Sequence, residues 1–190
     1  MRKIVVHLSV SLDGFFEGPD HDISWHLVDE ELHSYMNTQL AAASAFLEGR
    51  VTQELMAAYW PTADEDPAAS APEKEFAGIW RAMPKIVFSR TRDEVPWATE
   101  VRHEVDPDGI RALKQLPGGD MVLGGPDLTA TFRRLDLVDE YRLYVAPVLL
   151  GRGRRLFGDA DDLTRLELLE THRFGNGTVM LRHGVLRPHS

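Results

Sequence analysis

The chain has 190 residues, 43% of them hydrophobic and 27% charged, the proportions of a globular protein long enough to bury its own core as one domain, 1–190. It contains no cysteine, which excludes disulfides, thiolate metal sites and a cysteine nucleophile. A net charge of −9 argues against general binding to nucleic acid or to a membrane surface, because both rest on clustered Lys and Arg.

The first element is "IVVHLSV", Ile4 to Val10, an apolar and β-branched run that predicts a strand. It is too short and too polar for a signal h-region or a spanning helix, so a cytoplasmic protein is expected. Leu32, Tyr35, Met36 and Leu40 keep helical spacing, and Ala45-Phe46-Leu47 follows as a short strand. Val51 to Tyr59 predicts a helix. Pro61 to Glu75, rich in Pro, Ala and acid, reads as a surface loop leading into a helix over Glu73 to Met83. Lys85 to Ser89 predicts a strand, Asp108 to Leu116 a helix, Met121 to Leu123 a strand and Asp127 to Leu135 a helix.

The end of the chain changes character. Glu140 to Leu150, Arg165 to Phe174 and Thr178 to Leu186 are strand-like, and Asn176-Gly177 between the last two is a hairpin signal. Asp159 to Asp162 reads as an acidic turn. Asn176-Gly177-Thr178 also spells a glycosylation sequon, which the expected cytoplasmic setting discounts. Strand–helix alternation with an antiparallel finish predicts an α/β protein: a mixed, mostly parallel sheet with helices on both faces.

Ligands of open α/β sheets sit outside the carboxyl ends of the parallel strands, so the residues that end each strand matter most. After Phe46-Leu47 come Gly49, Arg50 and Thr52; after Lys85 to Phe88 come Ser89, Arg90, Thr91 and Arg92; after Met121 to Leu123 come Gly124 and Gly125. A Gly-Gly pair alone is satisfied by a tight corner. Glycines at a helix start also suit a pyrophosphate, and Arg with Ser or Thr suits a terminal monophosphate. The pattern is neither G-x-G-x-x-G nor a P-loop. The eight histidines show no metal-ligand spacing, and H-E-x-x-H, G-x-S-x-G and EF-hand patterns are absent.

"FLEGRVTQE", "KIVFSRT" and "MVLGGPDLTATF" resemble the strand–turn–helix motifs of dihydrofolate reductases. "SLDGF", "LVDEYRL" and "APVLLGRGRRLF" bring the chain closer to one branch, the C-terminal reductase domain of bifunctional riboflavin-biosynthesis deaminase-reductases and its stand-alone relatives. The likeness runs from about Lys3 to Arg187. It implies a dihydrofolate-reductase-like three-layer fold and an NADPH-dependent reductase acting on a small heterocycle, pyrimidine- or pterin-like, such as a phosphoribosylaminouracil. Gly49, Arg50, Thr52, Ser89, Arg90, Gly124 and Gly125 would then hold the cofactor, with a cis peptide between the two glycines. Asp13 and Glu30 would be the catalytic carboxyls, Trp25, Asp29, Arg152 and Arg154 the substrate contacts, and a homodimer the assembly.

Each substrate-side residue has a second reading. Asp13 before Gly14 suits a turn, Asp29 and Glu30 suit a helix first turn, Trp25 suits a core, and the arginines suit solvent. Two rivals share the cofactor half: a folate reductase proper, with Asp29 or Glu30 facing substrate, and a non-catalytic nucleotide-binding sensor module.

Overall fold

The structure, a computed structural model, describes residues 1–158 and 163–187; the acidic run Asp159 to Asp162 lies outside them. In chain order the elements are β1 (Ile4–Ser11), β2 (Phe15–Glu17), α1 (Glu30–Ala41), β3 (Ala45–Gly49), α2 (Arg50–Tyr59), α3 (Ala71–Ala82), β4 (Lys85–Phe88), β5 (Glu100–Arg102), α4 (Pro107–Gln115), β6 (Met121–Leu123), α5 (Pro126–Arg134), β7 (Glu140–Ala146), β8 (Arg154–Arg155), β9 (Leu166–Arg173) and β10 (Val179–Val185).

An eight-stranded sheet runs in the order β5-β4-β3-β6-β1-β7-β10-β9, and β2 pairs β8 separately. Pairing is parallel from β5 to β7 and antiparallel across β7–β10–β9. The expected mixed sheet with an antiparallel C-terminal hairpin is therefore present, and so is the α/β fold class.

Side-chain alternation sorts the core onto two faces. On one, Val6, Leu47, Phe88 and Leu123 meet Ile110 of α4 and Phe132 of α5. On the other, Phe46 and Val122 meet Leu40 of α1 and Phe76 and Trp80 of α3. Trp80 is fully buried, and burying such a ring contributes about 1.5–3 kcal/mol. Helices thus cover both faces, which leaves the carboxyl ends of the central strands open at the top.

The sequence missed the short strands. β2, β5 and β8 hold two or three residues each and carry no periodicity, so pairing with neighbours, not pattern, defines them. The expected loop after α2 begins as a 3-10 turn over Trp60–Glu65, pinned where Arg81 grips the Asp64 carboxylate at 2.7 and 2.8 Å.

Candidate functional site

Helix caps single out one place. Asp29, Ser70 and Asp106 cap the starts of α1, α3 and α4 by accepting from backbone N–H groups. By contrast α2 and α5 start at Gly49 and Gly125, and neither has a side-chain cap. Their first N–H groups face a cleft of about 950 Å³ over the ends of β3, β4 and β6. An uncapped helix start carries partial positive charge and suits an anion.

Gly49, Arg50, Thr52, Ser89, Arg90, Gly124 and Gly125 all line this cleft. Gly125 shapes its floor with φ +84° and ψ 140°. A Cβ there would stand 2.9 Å from the Thr52 hydroxyl, so a side chain would fill the cradle between the two helix starts. At Gly124 an added Cβ would meet only the Glu48 side chain, at 3.8 Å, an ordinary contact. Gly125→Ala is therefore expected to cost about 1–3 kcal/mol in chemical denaturation, because positive φ with extended ψ is nearly restricted to glycine, and Gly124→Ala much less. Equal losses would refute this geometry.

The expected cis bond is a correction: no described peptide bond is cis. The chain turns this corner through the positive φ of Gly125, with the Gly124 N–H held by the Leu47 carbonyl at 3.0 Å.

At the β4 end, the Ser89 side chain is buried and its hydroxyl accepts from the Arg92 N–H at 3.0 Å, folding the turn that presents Arg90. Arg90 is exposed and makes no ion pair among the described residues. His103, from the end of β5, meets the Ser89 carbonyl at 2.9 Å and joins the lining. Arg50 is committed to Glu54 at 2.6 Å, one turn along α2.

The substrate-side residues scatter. Of them only Arg154 lines the cleft, and it pairs with Asp127 of α5 and, at 3.6 Å, with Glu17. Asp13 accepts from the Ser11 hydroxyl at 2.6 Å and from the Leu150 and Gly151 N–H groups at 3.1 and 2.7 Å. Those bonds, the Ser11 hydroxyl foremost, hold its carboxyl down to about 2. They tie the "SLDG" turn to the "LLGRG" loop, so two sequence signatures prove to be one joint. Asp29 accepts the Leu32 N–H as the cap of α1, and Glu30 is exposed beside it. The Trp25 indole donates to the Asp22 carbonyl at 3.1 Å. Arg152 is exposed, outside the lining.

Sequence reasoning missed Glu17, His21, Asp127 and the apolar lining Phe16, Ile23, Val51, Leu55 and Met56. The His21 imidazole meets Glu17 at 3.0 Å, at a spacing of four residues that could have been noticed. Just behind Gly124, on β3, lies Glu48. Burial pushes its carboxyl up to about 7 against the opposing pull of Lys85, and its Oε2 has no partner.

A mixed-sheet α/β domain with an anion-suited cleft at its strand ends defines the class. Over residues 2–180 the sequence matches the RibD C-terminal domain family, and the chain belongs to that family. It is 35% identical to the uncharacterized protein YyaP of Bacillus subtilis over 181 residues, 95% of this chain and 93% of that protein. It is 28% identical to the uncharacterized protein YwjB of the same organism, over 94% of this chain and 96% of that protein. A riboflavin biosynthesis protein from a Shewanella species superimposes with a TM-score of 0.72 at 20% identity, covering 98% of this chain and 100% of that one. The bifunctional deaminase and 5-amino-6-(5-phosphoribosylamino)uracil reductase of Thermotoga maritima superimposes at 0.65 and 16% identity, over 97% of this chain and 57% of that one. The structural matches show the shared fold, and membership of the family supports a reductase-type function.

Proposed function

We propose that the protein is an NADPH-dependent oxidoreductase that passes a hydride to a small heterocyclic acceptor of pyrimidine or pterin type. The observation that carries this reading is the meeting of the only two helix starts without side-chain caps, among the described α-helices, at the Gly124-Gly125 corner. A dinucleotide pyrophosphate fits there, against bare glycine and unpaired N–H groups. Arg90 with Ser89 and His103 would take the 2′-phosphate, which distinguishes NADPH from NADH.

The bound cofactor would supply the hydride; the chain supplies position and exclusion of water. Thr52 and Gly125 set the depth at which the pyrophosphate rests, and Phe16, Leu55 and Met56 add apolar wall to the cleft. A folate reductase proper needs an acid facing substrate, and Asp29 and Glu30 are not in the lining. The cytoplasmic setting, the single domain and the homodimer belong to the same reading; for the last, β9 is an edge strand with Leu166, Leu168 and Leu169 exposed. No helix among the described residues is long and apolar enough to cross a membrane.

Calorimetric titration with NADPH and with NADH tests the reading. A clear preference for NADPH is expected. Binding of neither would sink it, and binding without turnover of any heterocyclic acceptor would leave a sensor module.

A further inference from the structure

The cleft has two chemically different ends. Strand order places the β4 and β5 loops, with Ser89, Arg90 and His103, at one end and the β2 loop, beyond β6 and next to β1, at the other. The first end is polar and basic. At the second, Phe16 and Ile23 line the cleft from the β2 loop; Val51, Leu55 and Met56 line it from α2, which rises from the end of β3, between the two.

Three of these apolar side chains are more than half exposed: Ile23 at 52%, Val51 at 52% and Leu55 at 63%. Val51 and Leu55 lie four residues apart, so helical geometry puts them side by side on one stripe of α2, facing the cleft. α2 does not need that stripe for the core, which it reaches through Met56 and Ala57 instead. Apolar surface held open on the wall of a cleft is unfavourable unless a ligand covers it, and it marks a binding surface.

The charges at this end are already spent on one another. Glu17 holds His21 at 3.0 Å and Arg154 at 3.6 Å, and Arg154 also grips Asp127. Arg155 lies over the Phe15 ring and donates to the Asp13 carbonyl, away from the lining. A phosphate arriving at this end would find its guanidinium, Arg154, already paired, while the uncommitted Arg90 lies at the other end. Releasing Arg154 would strip Asp127 of its guanidinium and leave buried Glu17 with the His21 imidazole alone.

We propose that the hydride acceptor is a planar, uncharged heterocycle that carries no phosphate, its flat face seated on the apolar shelf made by Ile23, Val51 and Leu55. The proposal rests on the reductase reading for its chemistry. The acceptor gains two electrons and one proton as hydride from the dihydronicotinamide, which is oxidised to the nicotinamide cation, and a second proton comes from solvent. The shelf itself depends only on the cleft walls.

The test compares two probes that share one ring, lumiflavin without a phosphate and riboflavin 5′-phosphate with one. Each is titrated into the full-length protein with and without saturating NADP+. Lumiflavin is expected to bind, and the phosphate ester to bind no more than about threefold tighter. Leu55→Asp, at an exposed position that leaves the melting temperature in place, is expected to weaken lumiflavin at least tenfold and NADP+ much less. Tenfold tighter binding of the phosphate ester, lost in Arg154→Ala, would overturn the proposal. So would no lumiflavin binding, or binding that Leu55→Asp leaves unchanged. Failure of NADP+ to bind would instead sink the reductase reading, and the lumiflavin titrations of the free protein would still decide the shelf.

Discussion

Glu48→Gln is expected to stabilise the protein by about 3 kcal/mol at pH 8 and to change little at pH 4. The carboxyl is 95% buried and lies between the sheet and the helices that cover it, with one oxygen unpartnered. Burial raises it from 4.5 to about 7, so the folded protein holds a proton that the unfolded chain has lost. The stability linked to this group is fully present below about pH 4.5 and is lost as pH rises through 7, at roughly 1.4 kcal/mol per unit. Glutamine keeps the shape and does not ionise. His7 acts with the opposite sign: burial, then Arg142, holds it down to about 3 from 6.5, so stability falls as pH drops below 6.5. The two slopes oppose each other between about pH 4.5 and 6.5, so Glu48 and His7 together add little pH dependence there. Denaturant titrations of both proteins from pH 4 to pH 8 measure the gap. A constant gap would mean that Glu48 ionises as an ordinary carboxyl and that its burial costs nothing.

Much of this was legible beforehand, for reasons that differ between the two halves of the site. Gly49, Arg50, Ser89, Arg90 and the glycine pair end successive parallel strands, and topology alone brings strand ends together. The strands themselves are short apolar runs, so their ends can be read to within two residues. The substrate side depends on how a long connection folds. Residues 12–29 contain only a three-residue strand and a 3-10 turn, in which Asp20 and His21 take φ near +60°. No periodicity predicts such a path, so nothing in the sequence separated an inward acid from a capping one. Asp29 proved to be a cap, Asp13 a joint between two loops, and Trp25 a local prop. Glu17, which does line the cleft, sits on a strand defined only by its partner β8, some 140 residues away. The cis peptide came from resemblance alone, and Gly125 reaches the same corner by another backbone route. Glu48 stands inside the "FLEGRVTQE" motif, but burial of a carboxyl is a property of packing that its neighbours in sequence do not announce.

Arg90→Ala is expected to weaken NADPH about 10- to 100-fold and NADH less than twofold. A charge-assisted hydrogen bond is worth roughly 1.5–3 kcal/mol, and only NADPH carries the phosphate to receive it. The side chain is exposed and uncommitted among the described residues, so its removal leaves no buried partner behind and should not disturb folding. Arg50 provides the contrast. Its guanidinium already bonds Glu54 at 2.6 Å, and a phosphate would have to compete for it, so Arg50→Ala should cost less and cost both nucleotides alike. Salt separates the two further: the Arg90 contribution is exposed and should shrink as ionic strength rises to physiological and the Debye length falls to about 8 Å. Calorimetric titration of NADPH and NADH into the three proteins, at low and at physiological salt, reads all of these differences. Equal losses for both nucleotides in Arg90→Ala would place this arginine on the pyrophosphate and leave the 2′-phosphate to His103 and the turn that Ser89 holds.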